Sequence, residues 1–139
     1  MGNCLAIVGG SPGNLITSTS FVTLSPTIAL SFMLSYPTGV RFSCFANAKQ
    51  TVAGKVGYVR LNLVGQGTTG NLEFGGGPSN NSHDITNGYA ELICAPGGSI
   101  GTLAVGSYAA QMEASADSGD TLFVVGGYIT AYVISPAAF

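Results

Sequence analysis

Residues 120–139 read Asp-Thr-Leu-Phe-Val-Val-Gly-Gly-Tyr-Ile-Thr-Ala-Tyr-Val-Ile-Ser-Pro-Ala-Ala-Phe, and how they fold decides the architecture. β-Branched and aromatic residues fill Thr121 to Val125 and Tyr128 to Ser135, with Gly126-Gly127 between them. Such runs favour a pleated, half-buried backbone, and two adjacent glycines supply the positive φ that a type I′ turn needs. The stretch therefore predicts a β-hairpin. With Val125 opposite Tyr128, the register sets Phe123 against Thr130 and Thr121 against Tyr132 on one face, and Leu122 and Val124 against Ala131 and Ile129 on the other. The aliphatic face belongs in a core. Phe123, Tyr128 and Tyr132 form a surface suited to a second sheet or a second subunit.

Working back from the hairpin, the same period of two recurs. Thr27 to Tyr36 places Ile28, Leu30, Phe32 and Leu34 on one side and Ala29, Ser31, Met33 and Ser35 on the other. Lys55 to Val64 opposes Val59, Leu61 and Leu63 to Tyr58, Arg60 and Asn62, so its polar side faces solvent or a partner. Gly106 to Ala116 alternates in the same way, although Ala-Ala-Gln-Met-Glu-Ala also suits a helix. Cys4 to Val8, Leu15 to Leu24, Val40 to Phe45, Asn71 to Phe74 and Gly88 to Ala95 read as further strands. Ala46 to Gly54, Gly65 to Gly70 and the Gly/Asn/Ser-rich Gly75 to Asn87 read as loops. Short strands separated by regular turns, without a sustained helical period, predict an all-β chain: a jelly-roll-like antiparallel β-sandwich of about eight strands. At 139 residues it forms a single domain, 1–139.

Charged residues make up only 7% of the chain, 46% are hydrophobic, the formal charge is -2 and the mean hydropathy is +0.42. A surface so poor in charge suits burial in an assembly better than life as a free monomer. Arg41, Lys49, Lys55 and Arg60 are scattered, so nothing gathers to neutralise phosphates and nucleic acid is not an expected partner. The longest apolar run is broken by glycines and too short to cross a membrane as a helix. The first residues carry no basic flank of a secretory signal, and Ala6 stands where a myristoylation site has Ser or Thr. Cys4, Cys44 and Cys94 are odd in number, which favours free thiols and a reducing compartment at synthesis. The Cys44 to Cys94 spacing would also admit a bridge between two sheets.

Reactive chemistry is not legible. Gly65-Gln66-Gly67-Thr68-Thr69-Gly70 matches the dinucleotide fingerprint, but Gly75-Gly76-Gly77-Pro78 follows too soon for the helix that must meet the pyrophosphate. Ser82-His83-Asp84 holds three triad residue types in a row, whereas a triad needs them to converge from separate segments. Asp117 and Asp120 flank a Ser-Gly turn and read as turn formers. Nothing brings Glu73, Glu91 and Glu113 together as an acid/base pair. No catalytic residue, metal ligand or cofactor is therefore expected. Tyrosines such as Tyr58, Tyr89 and Tyr108 could stack on sugars, so a lectin-like carbohydrate-binding sandwich is the alternative to a structural role.

In size, in its Gly/Ser/Thr/Ala-rich strands, in its very low charge and in its missing catalytic residues, the whole chain resembles the small all-β decoration or cement proteins that bind the outside of tailed-phage capsids. The resemblance implies a sandwich that folds in the host cytoplasm with reduced cysteines and docks in symmetric copies on the outer surface of a virion. Its expected partners are other copies of itself and a major capsid protein. A pilus or fibre subunit shares the same description. The expected interface residues are the polar face of Lys55 to Val64 (Tyr58, Arg60 and Asn62) or the aromatic face of the terminal stretch (Phe123, Tyr128 and Tyr132).

Overall fold

The computed structural model describes residues 4–52, 54–75, 86–98 and 100–134, which include no helix and eleven strands. Two antiparallel sheets pack face to face as a jelly-roll-like sandwich. The first sheet runs β1 (Cys4–Gly10), β11 (Leu122–Val133), β5 (Val40–Gln50), β9 (Thr86–Cys94), with β2 (Asn14–Ile16) also paired to β11. The second runs β3 (Val22–Thr23), β10 (Gly106–Ala116), β6 (Val56–Leu63), β7 (Gly67–Thr68). Here β4 (Ala29–Leu34) joins β10, and β8 (Leu72–Gly75) joins β6.

Gly126-Gly127 does not turn the chain. It lies inside β11, a single strand held between β1 and β5. Both glycines are there for space. A Cβ on Gly126 would run into the Gly10 carbonyl oxygen, and one on Gly127 into the Phe45 carbonyl oxygen and within 3.0 Å of the Ala46 Cα. Glycine inside a strand marks a bulge or a close backbone approach, and the β5 register does slip between Val124 and Gly126. The expected loop Ala46 to Gly54 explains the error. Its first half, Ala46 to Gln50, continues β5 and pairs with Leu122, Phe123, Val124, Gly126 and Gly127. Small and polar side chains had hidden an alternation in which Ala46 and Ala48 point inward and are fully buried. Once β5 is this long, both halves of residues 122–133 have a partner and no hairpin is needed.

Leu15 to Leu24 is likewise not one strand. Ser18 Oγ donates to the Ser20 carbonyl and accepts the Ser20 N–H at 3.1 Å, a local side-chain bond that competes with a ladder. The chain bends there and changes sheets, β2 pairing with β11 and β3 with β10. Gly106 to Ala116 is a strand, pairing with β6 on one side and with β3 and β4 on the other.

Alternation places the core between the sheets. Phe42, Cys44, Leu122, Val124, Ile129 and Ala131 of the first sheet face Val59, Leu61, Leu63, Ala110, Met112 and Ala114 of the second, all fully buried. Each large aliphatic or aromatic side chain removed from water there contributes roughly 1.5–3 kcal/mol. Phe32 stacks on Tyr108 and tilts against Phe42 at centroid distances of 5.7 and 5.8 Å, closing the core beside β4. The aliphatic half of the terminal stretch thus lines the core as its pattern implied, through strand pairs other than those of a hairpin.

All three cysteines are free. Cys44 and Cys94 lie on neighbouring strands of one sheet, with Val40 opposite Cys94 and Cys44 opposite Ala90, so no bridge joins the two sheets. Burial pushes the Cys44 thiol up to about 12 and the Cys94 thiol up to about 11, while Cys4 is exposed. Reaction with an alkylating agent needs thiolate and access. Native protein should therefore lose one thiol quickly, at Cys4, and two only on unfolding. Rapid labelling of Cys44 in native protein, read by peptide mass, would refute this.

Candidate interaction surface

The outer face of the first sheet is built by register. β5 turns Arg41, Ser43, Phe45 and Lys49 outward, and β11 sets Tyr132, Thr130, Tyr128 and Phe123 opposite them. The Arg41 guanidinium lies over the Tyr132 ring at 5.5 Å, Phe45 stacks on Tyr128 at 5.1 Å, and the Lys49 ammonium sits 5.9 Å from the Phe123 ring. Each cross-strand pair of this kind adds roughly 0.2–1 kcal/mol to the sheet. On β9, the Tyr89 hydroxyl lies 2.9 Å from Ser43 Oγ and donates to Glu91 Oε2 at 2.8 Å, and Arg41 Nε is 3.6 Å from the same oxygen. Tyr89 remains 54% exposed and Tyr128 41%, and Ile7 of β1 (66%) and Leu15 of β2 (62%) flank the row. Apolar and aromatic side chains on this face thus come from β1, β2, β5, β9 and β11, interspersed with Ser43, Asn47 and Thr130.

The outer face of the second sheet differs. Register brings Arg60 opposite Glu113 and Asn62 opposite Gln111. Glu113 accepts from Arg60 Nε at 3.0 Å, Asn62 Nδ2 at 3.0 Å and Gln111 Nε2 at 2.9 Å. Gln111 also donates to Thr23 Oγ1, and the Phe21 ring covers the Arg60 guanidinium at 3.8 Å. Tyr58 lies at the acidic end of this face, where desolvation and the charges of Asp117 and Glu73 raise its pKa. The six expected interface residues therefore sit on opposite sides of the sandwich. Phe123, Tyr128 and Tyr132 lie on the aromatic face, while Arg60 and Asn62 are engaged within the chain. Sequence reading named Tyr89 only as a ring that could stack on sugars and did not single out Arg41, Phe45, Ile7 or Leu15 for this face. The outward alternation of Arg41, Phe45 and Lys49 along residues 40–50 was the signal that could have found Arg41 and Phe45.

Glu113 is only 7% exposed. Burial alone would raise its pKa, but the three donors and the Arg60 charge outweigh burial and hold it below its ordinary value of 4.5. A carboxyl lowered on folding stabilises the fold above its unfolded pKa, and that contribution is lost as pH falls through the folded value. Glu113→Gln should therefore flatten the acid limb of stability below about pH 4.5, measured as urea midpoint against pH. An unchanged limb would show that Glu113 does not control it.

Glu91 lies on the first sheet, opposite the face that holds Glu113 and Glu73, so these carboxylates form no common acid/base site. Gly65 to Gly70 forms a turn and β7, with no helix behind it. Asp117 and Asp120 do close a turn, the Asp120 N–H bonding the Asp117 carbonyl at 3.0 Å. Asp120 is also buried, taking a 2.7 Å hydrogen bond from Gln50 Nε2. Ser82, His83 and Asp84 lie outside the described residues.

No protein-family model matches the chain, and no curated protein matches it. Solved structures do. A chain of infectious bursal disease virus, Gt strain, superposes with a TM-score of 0.52 over 97% of this chain at 13% identity. A chain of the T13 IBDV viral particle gives 0.52 over 93% at 11% identity. This chain spans about a third of those chains, 35% and 31% of their lengths. The likeness is one of fold: this is a β-sandwich of the kind found in viral particles. A carbohydrate binding module from Cellvibrio mixtus lichenase 5A, solved with cellotriose, is similar at a TM-score of 0.40 and 13% identity, over 93% of this chain and 97% of that one. That trace is too distant to bear on function.

Proposed function

We propose that the chain is a non-enzymatic structural subunit of a virion, a decoration or cement protein. It assembles in the host cytoplasm and binds a major capsid protein on the outer shell through the outer face of its first sheet. The observation that carries this reading is the asymmetry of the sandwich. The Arg60, Asn62, Gln111 and Glu113 network ties up the centre of one outer face, where β4 still leaves Met33 in water, and the other face leaves Ile7, Leu15, Tyr89 and Tyr128 in water. Exposed apolar and aromatic side chains gathered on one face are a mark of interaction sites, and Tyr and Arg are among the side chains that most often anchor them. The fold shared with viral-particle chains supports the same reading.

The ring geometry favours a protein partner over a glycan. A sugar stacks on a ring face open to solvent. Here Phe45 and Tyr128 cover one another, and Tyr132 and Phe123 each lie under a cation. Tyr89, with its hydroxyl tied to Ser43 and Glu91, is the one ring of the row without a ring or cation partner among the described residues, and Ile7 and Leu15 add aliphatic surface that packs well against another protein. Finding a major capsid gene beside its own and co-expressing the two, followed by a density gradient, tests the reading. The chain should enter the shell band at fixed stoichiometry. A chain that stays at the top of the gradient and is retained on a glycan column overturns it.

A further inference from the structure

Among the described residues, none pairs with the outer edge of β9 from Asn87 to Glu91. β9 pairs with β5 from Val40 opposite Cys94 to Ala48 opposite Thr86, without a bulge. The Ile100 N–H donates to the Ile93 carbonyl from the side away from β5, at 3.0 Å. Backbone groups alternate along a strand, so the N–H and C=O of Asn87, Tyr89 and Glu91 also point away from β5. Among the described residues they meet no partner. Natural proteins blunt such edges with Pro, Lys, a bulge or a very short strand. β3 and β7 have two residues each, β8 has four, and β1 is irregular between Cys4 and Ala6. β9 has nine residues and none of these devices.

We propose that β9 pairs antiparallel with β9 of a second copy, about a two-fold axis through Tyr89. This rests on the reading of the outer face as a docking surface, which the pairing doubles in width. The edge is self-complementary in this register. Tyr89 faces its counterpart, each free N–H of Asn87, Tyr89 and Glu91 meets a free carbonyl, and the Asn87 amide faces the Glu91 carboxylate of the other copy. A slide that set Glu91 against Glu91 would oppose like charges and would bring Tyr89 to Ile93, whose carbonyl Ile100 already occupies. The row formed in register by Tyr128, Phe45 and Tyr89 would then continue through the axis into the second copy. An interface of this kind is isologous and closes at two copies.

Sedimentation equilibrium of the full chain tests the pairing, with circular dichroism as the check on folding. Asn87 is exposed and its N–H faces away from β5, so changes there leave the monomer's ladder intact. Asn87→Lys should tighten the dimer and Asn87→Asp should loosen it, each by about two- to tenfold, because the change places an opposite or a like charge across from Glu91. Asn87→Pro should yield monomer. A wild-type monomer at high concentration, open-ended polymers, or a dimer indifferent to all three changes would overturn the pairing. A monomer that still enters the shell band removes the edge pairing and keeps the docking face. A dimer that responds as expected but never enters the band does the reverse.

Discussion

Gly127→Ala is expected to cost at least about 3 kcal/mol, and in a domain of this size that can abolish folding. The added methyl has no room. It points at the Phe45 carbonyl oxygen and the Ala46 Cα of the neighbouring strand, and at the Met112 methyl 3.1 Å away. Met112 can move, but the backbone of β5 can move only by breaking the ladder at the centre of the first sheet. Gly65→Ala is the control for glycine loss as such. At Gly65 a Cβ meets nothing within 4 Å, but φ is +79°, so the cost there is left-handed strain of about 1–2 kcal/mol. Urea unfolding of the two variants should rank them in that order. A Gly127→Ala protein as stable as Gly65→Ala would mean that β11 is not one strand at that point.

Tyr128→Ala and Tyr132→Ala should each weaken docking by about 1–3 kcal/mol of association free energy while leaving the monomer folded. Tyr128 is 41% exposed, and its removal strips the stacking partner from Phe45 without opening the core. Tyr132 lies under Arg41, so its loss frees a guanidinium that also belongs to the Glu91 pair. Arg60→Ala gives the contrast, because Arg60 is bound to Glu113 and covered by Phe21. Its loss should lower stability and leave the affinity of folded protein for shells unchanged. Shell binding that depends on Arg60 and not on the two tyrosines would move the interface to the other face of the sandwich.

The fold class was legible because alternation survives in the strongly patterned segments. Ile28, Leu30 and Leu34 point inward as their spacing requires, and so do Val59, Leu61 and Leu63. Legibility failed where the pattern was written in small residues. Ala46 and Ala48 carry too little hydrophobic contrast to announce a strand, and with that half of β5 unseen, residues 122–125 had no visible partner except 128–133. Gly-Gly then acquired a conformational explanation for what is a steric requirement. The aromatic face was legible in part for the same reason. Phe123, Tyr128 and Tyr132 stand out along one strand, but the neighbours that complete the surface come from β1, β2, β5 and β9. Only pairing over long sequence separations brings those strands beside β11.

The place of β11 in the sheet also orders events during synthesis. The strand pairs with β1, β2 and β5, so the ribosome must release it after every strand it touches. Until residues 122–133 emerge, the first sheet lacks its middle and β1 has no ladder to join. Nascent chain therefore waits, and ordering rests on closing contacts across more than a hundred residues, a topology associated with slow folding. The same strand carries Phe123, Tyr128 and Tyr132. A chain truncated before residue 122 therefore lacks Phe123, Tyr128 and Tyr132 and the strand that holds the first sheet together, so it cannot display the aromatic face.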